Sequence, residues 1–382
     1  MPHLRSMPES DLPLGEPLPW DLYDRWGDLL LKEGGKIRDE DQLREIVNRG
    51  PSVIASDTPA DVFAEDRAQL HIGTSFDVSH KCIRFLERIS ADPLHVPNFP
   101  HEVEAIANAI LRATKRDEDA AIASLIMLNE GRYCIRHQIE TAIVVAVMTH
   151  HLELDPDTAR PIVCAALTMN IANLEMHESL HSDSSPMGDS TRILMNLHPQ
   201  QSANLLRDSG VASREWIACV MRHHELWDGS GYPHGLIGSR IPLGAQLIQM
   251  ADTYTARTTA RSWKAREATS AAVADIVRNT PGTVNPEVTK LLISILGIYT
   301  PGTWVHLDNA EIALVVRRGK TLKVPMVLSF ISRGLALGAP LARDTSVERY
   351  AVKGAVDMPK LDHVLKPNVL WGLVLPPATV HS

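Results

Sequence analysis

The 382-residue sequence predicts a mainly α protein: a helical bundle flanked by a small N-terminal β-rich module and a small C-terminal antiparallel β module. Three observations carry this reading. Residues 139–148 and 162–174 are apolar nearly all round, as centrally buried helices are. Val103, Ile106, Ala107, Ile110 and Leu111 recur at the spacing of one helix face. Beyond residue 300 the pattern changes to short β-like runs separated by Asp308-Asn309, Gly319 and Gly334.

Taken in order, residues 1–75 form the first module. A Pro-rich arm leads to the run from Trp20 to Leu31, where Asp24 to Gly27 reads as a turn between short strands and Gly34-Gly35 as another. A short helix is predicted over 41–48, stopped by Gly50-Pro51, and the segment around 56–64 joins it to the rest. The helical body spans 76–298, with further helices over 200–206, 214–224, 242–260, 265–279 and 286–296. The last module, 299–382, contributes strands at 304–307, 312–316, 324–330 and 350–352.

Composition narrows the function. With 44% hydrophobic and 22% charged residues the chain is an ordinary globular one rather than a disordered tail. A net charge of −8 argues against coating DNA or RNA, although a few local cations could still hold a small anionic ligand. The four cysteines, Cys82, Cys134, Cys164 and Cys219, form no CxxC pair, so neither a cysteine zinc site nor a disulfide framework is expected. No apolar stretch of membrane-spanning length appears and the N-terminus lacks a secretory pattern, so the expected location is the cytoplasm. The unusual count is seventeen histidines against eleven Phe and Tyr together. Histidine is the commonest metal ligand and carries protons near neutral pH.

Most of these histidines are scattered, but several fall in a pattern. His137 lies at the start of the first buried helix, and His198 precedes Pro199. His223 and His224 are adjacent at a helix end, and Asp252 follows the apolar run 247–251 on the next long helix. After the two imidazoles comes Glu225 to Leu236, in which Gly229, Gly231, Pro233 and Gly235 force a tight irregular loop around Asp228, Tyr232 and His234. A bare His-His pair could simply cap a helix C-terminus, where imidazolium is favourable. The loop and Asp252 turn the reading towards a metal pocket.

Residues 223–236 resemble the signature of the HD-GYP family, with Gly231-Tyr232-Pro233 as the GYP element. The likeness runs over about 130–300 and takes in His137, the His198-Pro199 step, Asp252, and Arg261 to Lys264. It implies an HD-type helical bundle, a metal-dependent phosphohydrolase of bacterial cyclic di-GMP signalling, and metal ligation by His137, His198, His223, His224 and Asp252. It implies phosphate or nucleotide contacts from Arg261 and Lys264, Trp263 standing where a Tyr is usual. The GYP loop would dock a protein partner, by analogy a diguanylate cyclase domain.

The chain departs from the pattern at its chemical centre. The defining His-Asp pair aligns with Met169 and Asn170, the following Lys with Asn173, a metal-binding Glu with Tyr133, and a second Asp with Thr255. A neutral amide bridges two divalent ions poorly, and a thioether suits iron, manganese or zinc poorly. The expectation is one divalent metal (iron, manganese or zinc) on the histidines, with no second. Two functions follow: a cyclic di-GMP phosphodiesterase using metal-activated water, or a sensor or docking adaptor with impaired or absent hydrolysis, favoured here. No residue stands out as catalytic; His137 is the candidate proton carrier of a one-metal hydrolase.

Overall fold

The computed structural model describes residues 4–7, 12–18, 21–26, 28–54, 62–182, 188–259, 269–279, 282–359 and 366–373. The chain divides into two compact units, 1–64 and 65–382.

The first unit is a four-stranded antiparallel sheet in the order β1-β4-β2-β3, from β1 (Leu4–Ser6), β2 (Leu22–Tyr23), β3 (Leu29–Leu31) and β4 (Ser52–Ile54). One helix, α1 (Glu40–Asn48), starts where the Asp39 carboxylate accepts the Gln42 amide, and the core is Leu12, Leu18, Leu22, Ile37 and Ile46. Asp24 organises the turn between β2 and β3, accepting the Trp26 and Asp28 amides and pairing with Arg49. This agrees with the predicted β-rich character.

The second unit begins with α2 (Ala64–Gln69), α3 (Ser75–Ser90), α4 (Phe99–Arg116) and α5 (Glu118–Met127). The centre is α6 (Tyr133–His151), buried on every side from Tyr133 to Thr149. Around α6 pack α4, α7 (Pro156–Thr168), α8 (Leu174–Ser182), α11 (Leu243–Thr258) and α13 (Pro286–Leu296). The helices α9 (Asp189–Asp208) and α10 (Arg214–Arg222) pair with each other, and α12 (Thr269–Asn279) lies on α11.

One predicted helix is corrected. The run 162–174 is not continuous: α7 stops at Thr168, Asn170 leaves the helical region (φ −109°, ψ 13°), and a 3-10 turn, Ile171–Asn173, leads into α8. Unbroken apolarity signals burial, and a buried turn carries the same pattern as a buried helix. The strand expected at 350–352 also begins later, at Val352, because Glu348–Tyr350 is a 3-10 turn.

The C-terminal sheet has the order β8-β7-β6-β5-β9, with β5 (Trp304–Leu307), β6 (Glu311–Arg317), β7 (Met326–Ser332), β8 (Leu335–Asp344) and β9 (Val352–Val356), all antiparallel. The strand β8 escaped the sequence reading because it is an exposed edge strand with few β-branched residues. One sheet face carries Trp304, Leu314, Leu328 and Phe330 onto Phe76 of α3, Ala120 and Ala123 of α5, and Trp371 of α14 (Pro367–Leu373). At the rim, Arg317 pairs with Asp117 and Arg318 with Asp119, so the sheet is tied to the bundle by charge as well as by apolar area. Among the described residues no helix is long and apolar enough to cross a membrane.

Candidate metal centre and the loop beside it

Three histidines converge, and backbone carbonyls orient two of them. Pro199 has no N–H, so the Met195 carbonyl one turn earlier in α9 lacks its helical donor. The Nδ1 of His198 fills that role. His223 follows the last turn of α10, where carbonyls are orphaned, and its Nδ1 donates to Val220 O at 2.7 Å. A carbonyl only accepts, so both Nδ1 atoms carry the proton and both Nε2 atoms present lone pairs. Those two Nε2 atoms face each other at 3.1 Å.

Two lone pairs so close together repel unless a cation lies between them. Nitrogens about 2.1 Å from one ion and 3.1 Å apart subtend roughly a right angle at it. His224 completes the set: the ligand atoms of His198, His223 and His224 all lie within 4.8 Å of one another. Burial keeps the nest neutral, pulling His198 down to about 2 and His224 to about 3, with the neighbouring imidazoles adding to the effect, and His223 shifts the same way. Neutral imidazole is the ligating form, so the donor set fits one divalent ion.

A second group lies across the site. His137 of α6, buried, meets Asp252 of α11 through Nε2···Oδ1 at 2.7 Å, while its Nδ1 is buried without a hydrogen bond. Burial raises the Asp252 pKa, but the His137 hydrogen bond and the nearby imidazoles outweigh it and hold the carboxyl well below the usual range. Two neighbouring residues add no donor to this group. Thr255 is engaged with its own helix (Ala251 O, 2.9 Å) and with Thr141 of α6 (2.9 Å), a closed neutral chain. Tyr133 presents a ring rather than a carboxylate, stacked between His137 (5.7 Å) and His181 (4.0 Å).

Met169, Asn170 and Asn173 lie in the corrected turn. Met169 is fully buried. The Asn170 Oδ1 and Asn173 Nδ2 atoms are buried with no hydrogen-bond partner, a cost an apolar pair would have avoided. Arg261, Trp263 and Lys264 lie outside the described residues.

His177 was missed by sequence reasoning. It projects from α8 with a buried, unpartnered Nε2, its ring edge-on to His198 at 5.6 Å. Burial, then the His137 charge, pull its pKa down to about 4. Glu178 next to it accepts the Cys134 and Tyr133 amides at the first turn of α6, which fixes α8 over the site. The available signal was His177 and His181 at i, i+4, facing one way from a helix just after Met169-Asn170.

The loop after His224 is held from inside. The buried Glu225 carboxylate accepts the His234 amide (2.7 Å) and the Leu236 amide (2.8 Å), and Asp228 accepts from Ser230 N and Oγ. Gly231 is required: a Cβ there would lie 2.3 Å from Leu226 N and 2.5 Å from His224 O. Tyr232 then stacks on His224 at 4.8 Å, and Tyr232-Pro233 is cis. Gly229, at φ +85°, turns the chain back towards Ile237. Replacing Glu225 with Ala is expected to cost about 2–4 kcal/mol by orphaning two amides, and with Gln about half as much. Urea denaturation of the two variants beside the parent measures this, and equal midpoints for all three would remove Glu225 as the anchor.

Known proteins are similar to the helical body that carries this site. The HD domain family matches residues 120–288, from α5 to α13. Cyclic di-GMP phosphodiesterase PA4108 of Pseudomonas aeruginosa is 27% identical over 232 residues, 60% of this chain and 55% of that protein. Residues 120–288 thus match an HD domain, within a chain similar to cyclic di-GMP phosphodiesterases. The cyclic di-GMP phosphodiesterase response regulator RpfG of Xanthomonas campestris is 31% identical over 132 residues, 34% of this chain and 35% of that one. The 3'3'-cGAMP-specific phosphodiesterase 1 of Vibrio cholerae is 26% identical over 153 residues, 38% of this chain and 35% of that one. This chain thus spans between about a third and just over half the length of these relatives.

Proposed function

We propose that this chain is an HD-GYP protein of bacterial cyclic di-GMP signalling that acts as a sensor or docking adaptor, with hydrolysis impaired or absent. The observation that carries it is Asn170, a neutral, buried amide at the position of the metal-bridging carboxylate, its Oδ1 bonded to nothing. His198, His223 and His224 would hold one iron, manganese or zinc ion, and His137 with Asp252 supplies two donors, too few for a second. Such an ion lowers the pKa of bound water and polarises a phosphoryl oxygen. The chain's own residues order the site: two backbone carbonyls fix the tautomers of His198 and His223, and Tyr232 shields His224. The loop 228–233, braced by Glu225, is the surface offered to a protein partner, by family analogy a diguanylate cyclase domain.

Metal analysis paired with a turnover assay tests this. The purified chain is expected to carry about one divalent ion and to open cyclic di-GMP negligibly in added manganese or ferrous iron, and His223→Ala to carry none. Two tight ions with robust turnover would sink the proposal. A second reading, an active metal-dependent cyclic di-GMP phosphodiesterase, is favoured by the intact three-imidazole nest and is separated by the same assay.

A further inference from the structure

On the flank of the bundle, α9, α10 and the GYP loop enclose a groove of about 650 Å³. That volume is in the range of small-molecule sites. Its lining includes Arg207 from the end of α9, Arg214 at the start of α10 and Arg222 at its end, and no carboxylate among the described residues. The chain carries a net charge of −8, so this is a local inversion of sign.

The three guanidiniums are not engaged by acids. Arg207 donates to the Asn204 side chain (2.9 Å) and Arg222 to the Ala218 carbonyl (3.4 Å), and none of the three forms an ion pair among the described residues. Arg214 stands in the first turn of α10, between Glu215 and Ser213, whose hydroxyl accepts the Trp216 amide. The floor is different in character: Val211, Ile217 and Met221 are buried apolar residues turned to the groove.

An apolar floor with a rim of unpaired guanidiniums suits a ligand with a flat apolar face and attached phosphates. Guanidinium forks bind phosphate oxygens in pairs and also stack on aromatic planes, which lysines do not. We infer that this groove is a second ligand site that binds a phosphorylated nucleotide, separate from the histidine nest. A cyclic dinucleotide is the natural probe. The inference takes only that choice of probe from the signalling reading; the site itself rests on Arg207, Arg214 and Arg222.

The test is calorimetric titration of the full chain, in EDTA, with cyclic di-GMP, 3'3'-cGAMP and GTP. At least one is expected to bind without metal. Arg207→Ala/Arg214→Ala is expected to weaken that binding about a hundredfold, near tenfold for each guanidinium removed. Both side chains are exposed, so the double variant keeps its core, which a thermal melt verifies. Failure of all three nucleotides to bind would overturn the inference. So would binding that the double variant changes less than threefold. Metal content reports on the histidine nest separately, so a negative result here leaves the metal reading standing.

Discussion

The Met169→His/Asn170→Asp double variant is expected to bind a second divalent ion and to open cyclic di-GMP at least about a hundredfold faster than the parent chain. Asn170 is near enough in shape to Asp for the exchange to fit a buried position, and it converts an unpartnered amide oxygen into a carboxylate that can bridge two ions. Met169, also buried, gives way to an imidazole of similar bulk. With His137 and Asp252 already 2.7 Å apart, the added imidazole and carboxylate give the second position four donors. Metal-borne charge stabilisation of a phosphoryl transition state amounts to several kcal/mol, and each 1.36 kcal/mol is tenfold in rate. The apo double variant should be less stable than the parent, because its new carboxylate is buried without a cation. Metal stoichiometry by mass spectrometry and product formation by chromatography are the readouts. Two ions without turnover would move the defect to Tyr133, Asn173 and Thr255, and one ion would show that the turn after α7 cannot present ligands.

How far the site could be read in advance depended on whether a residue's role is local. The His198-Pro199 step was legible only through the resemblance; that it lies inside α9 rather than before a helix, where the proline frees the carbonyl that orients the histidine, came from the structure. Gly231 was legible directly, since the atoms that forbid a side chain there belong to residues 224–226. The buried course of α6 was evident from apolarity on every face. What escaped depends on tertiary placement. The apolar run through Met169 hid a turn, and α8 was not separated from α7 although its position, set by Glu178 at the head of α6, brings His177 to the site. Nor did any pattern along the chain announce the arginine groove, whose cations come from two helices and become neighbours only when α9 and α10 pack.

Acid should unfold the metal-free chain well above the pH at which carboxylates titrate. His198 and His224 are held at about 2 and about 3 by burial and by one another, against about 6.5 in an unfolded chain. Between those limits the unfolded state binds protons that the folded state refuses. The stability contributed by neutral burial is therefore complete above pH 6.5 and declines as pH falls below it. Each group costs about 1.4 kcal/mol per pH unit, so the two together remove about 4 kcal/mol between pH 7 and pH 5, a large part of ordinary domain stability. His223 shifts in the same direction and steepens the fall. Asp252 acts in the same direction but below this window: its depressed carboxyl contributes above the unfolded value of about 3.9, and that contribution disappears only at lower pH. Bound metal stabilises the folded state by its own affinity, so the loaded chain should resist to lower pH. Urea midpoints at pH 7 and pH 5, in EDTA and in manganese, test this, and His224→Gln should flatten the EDTA slope by about one proton. An EDTA midpoint that does not move between the two pH values would mean that the three imidazoles are not buried neutral in solution.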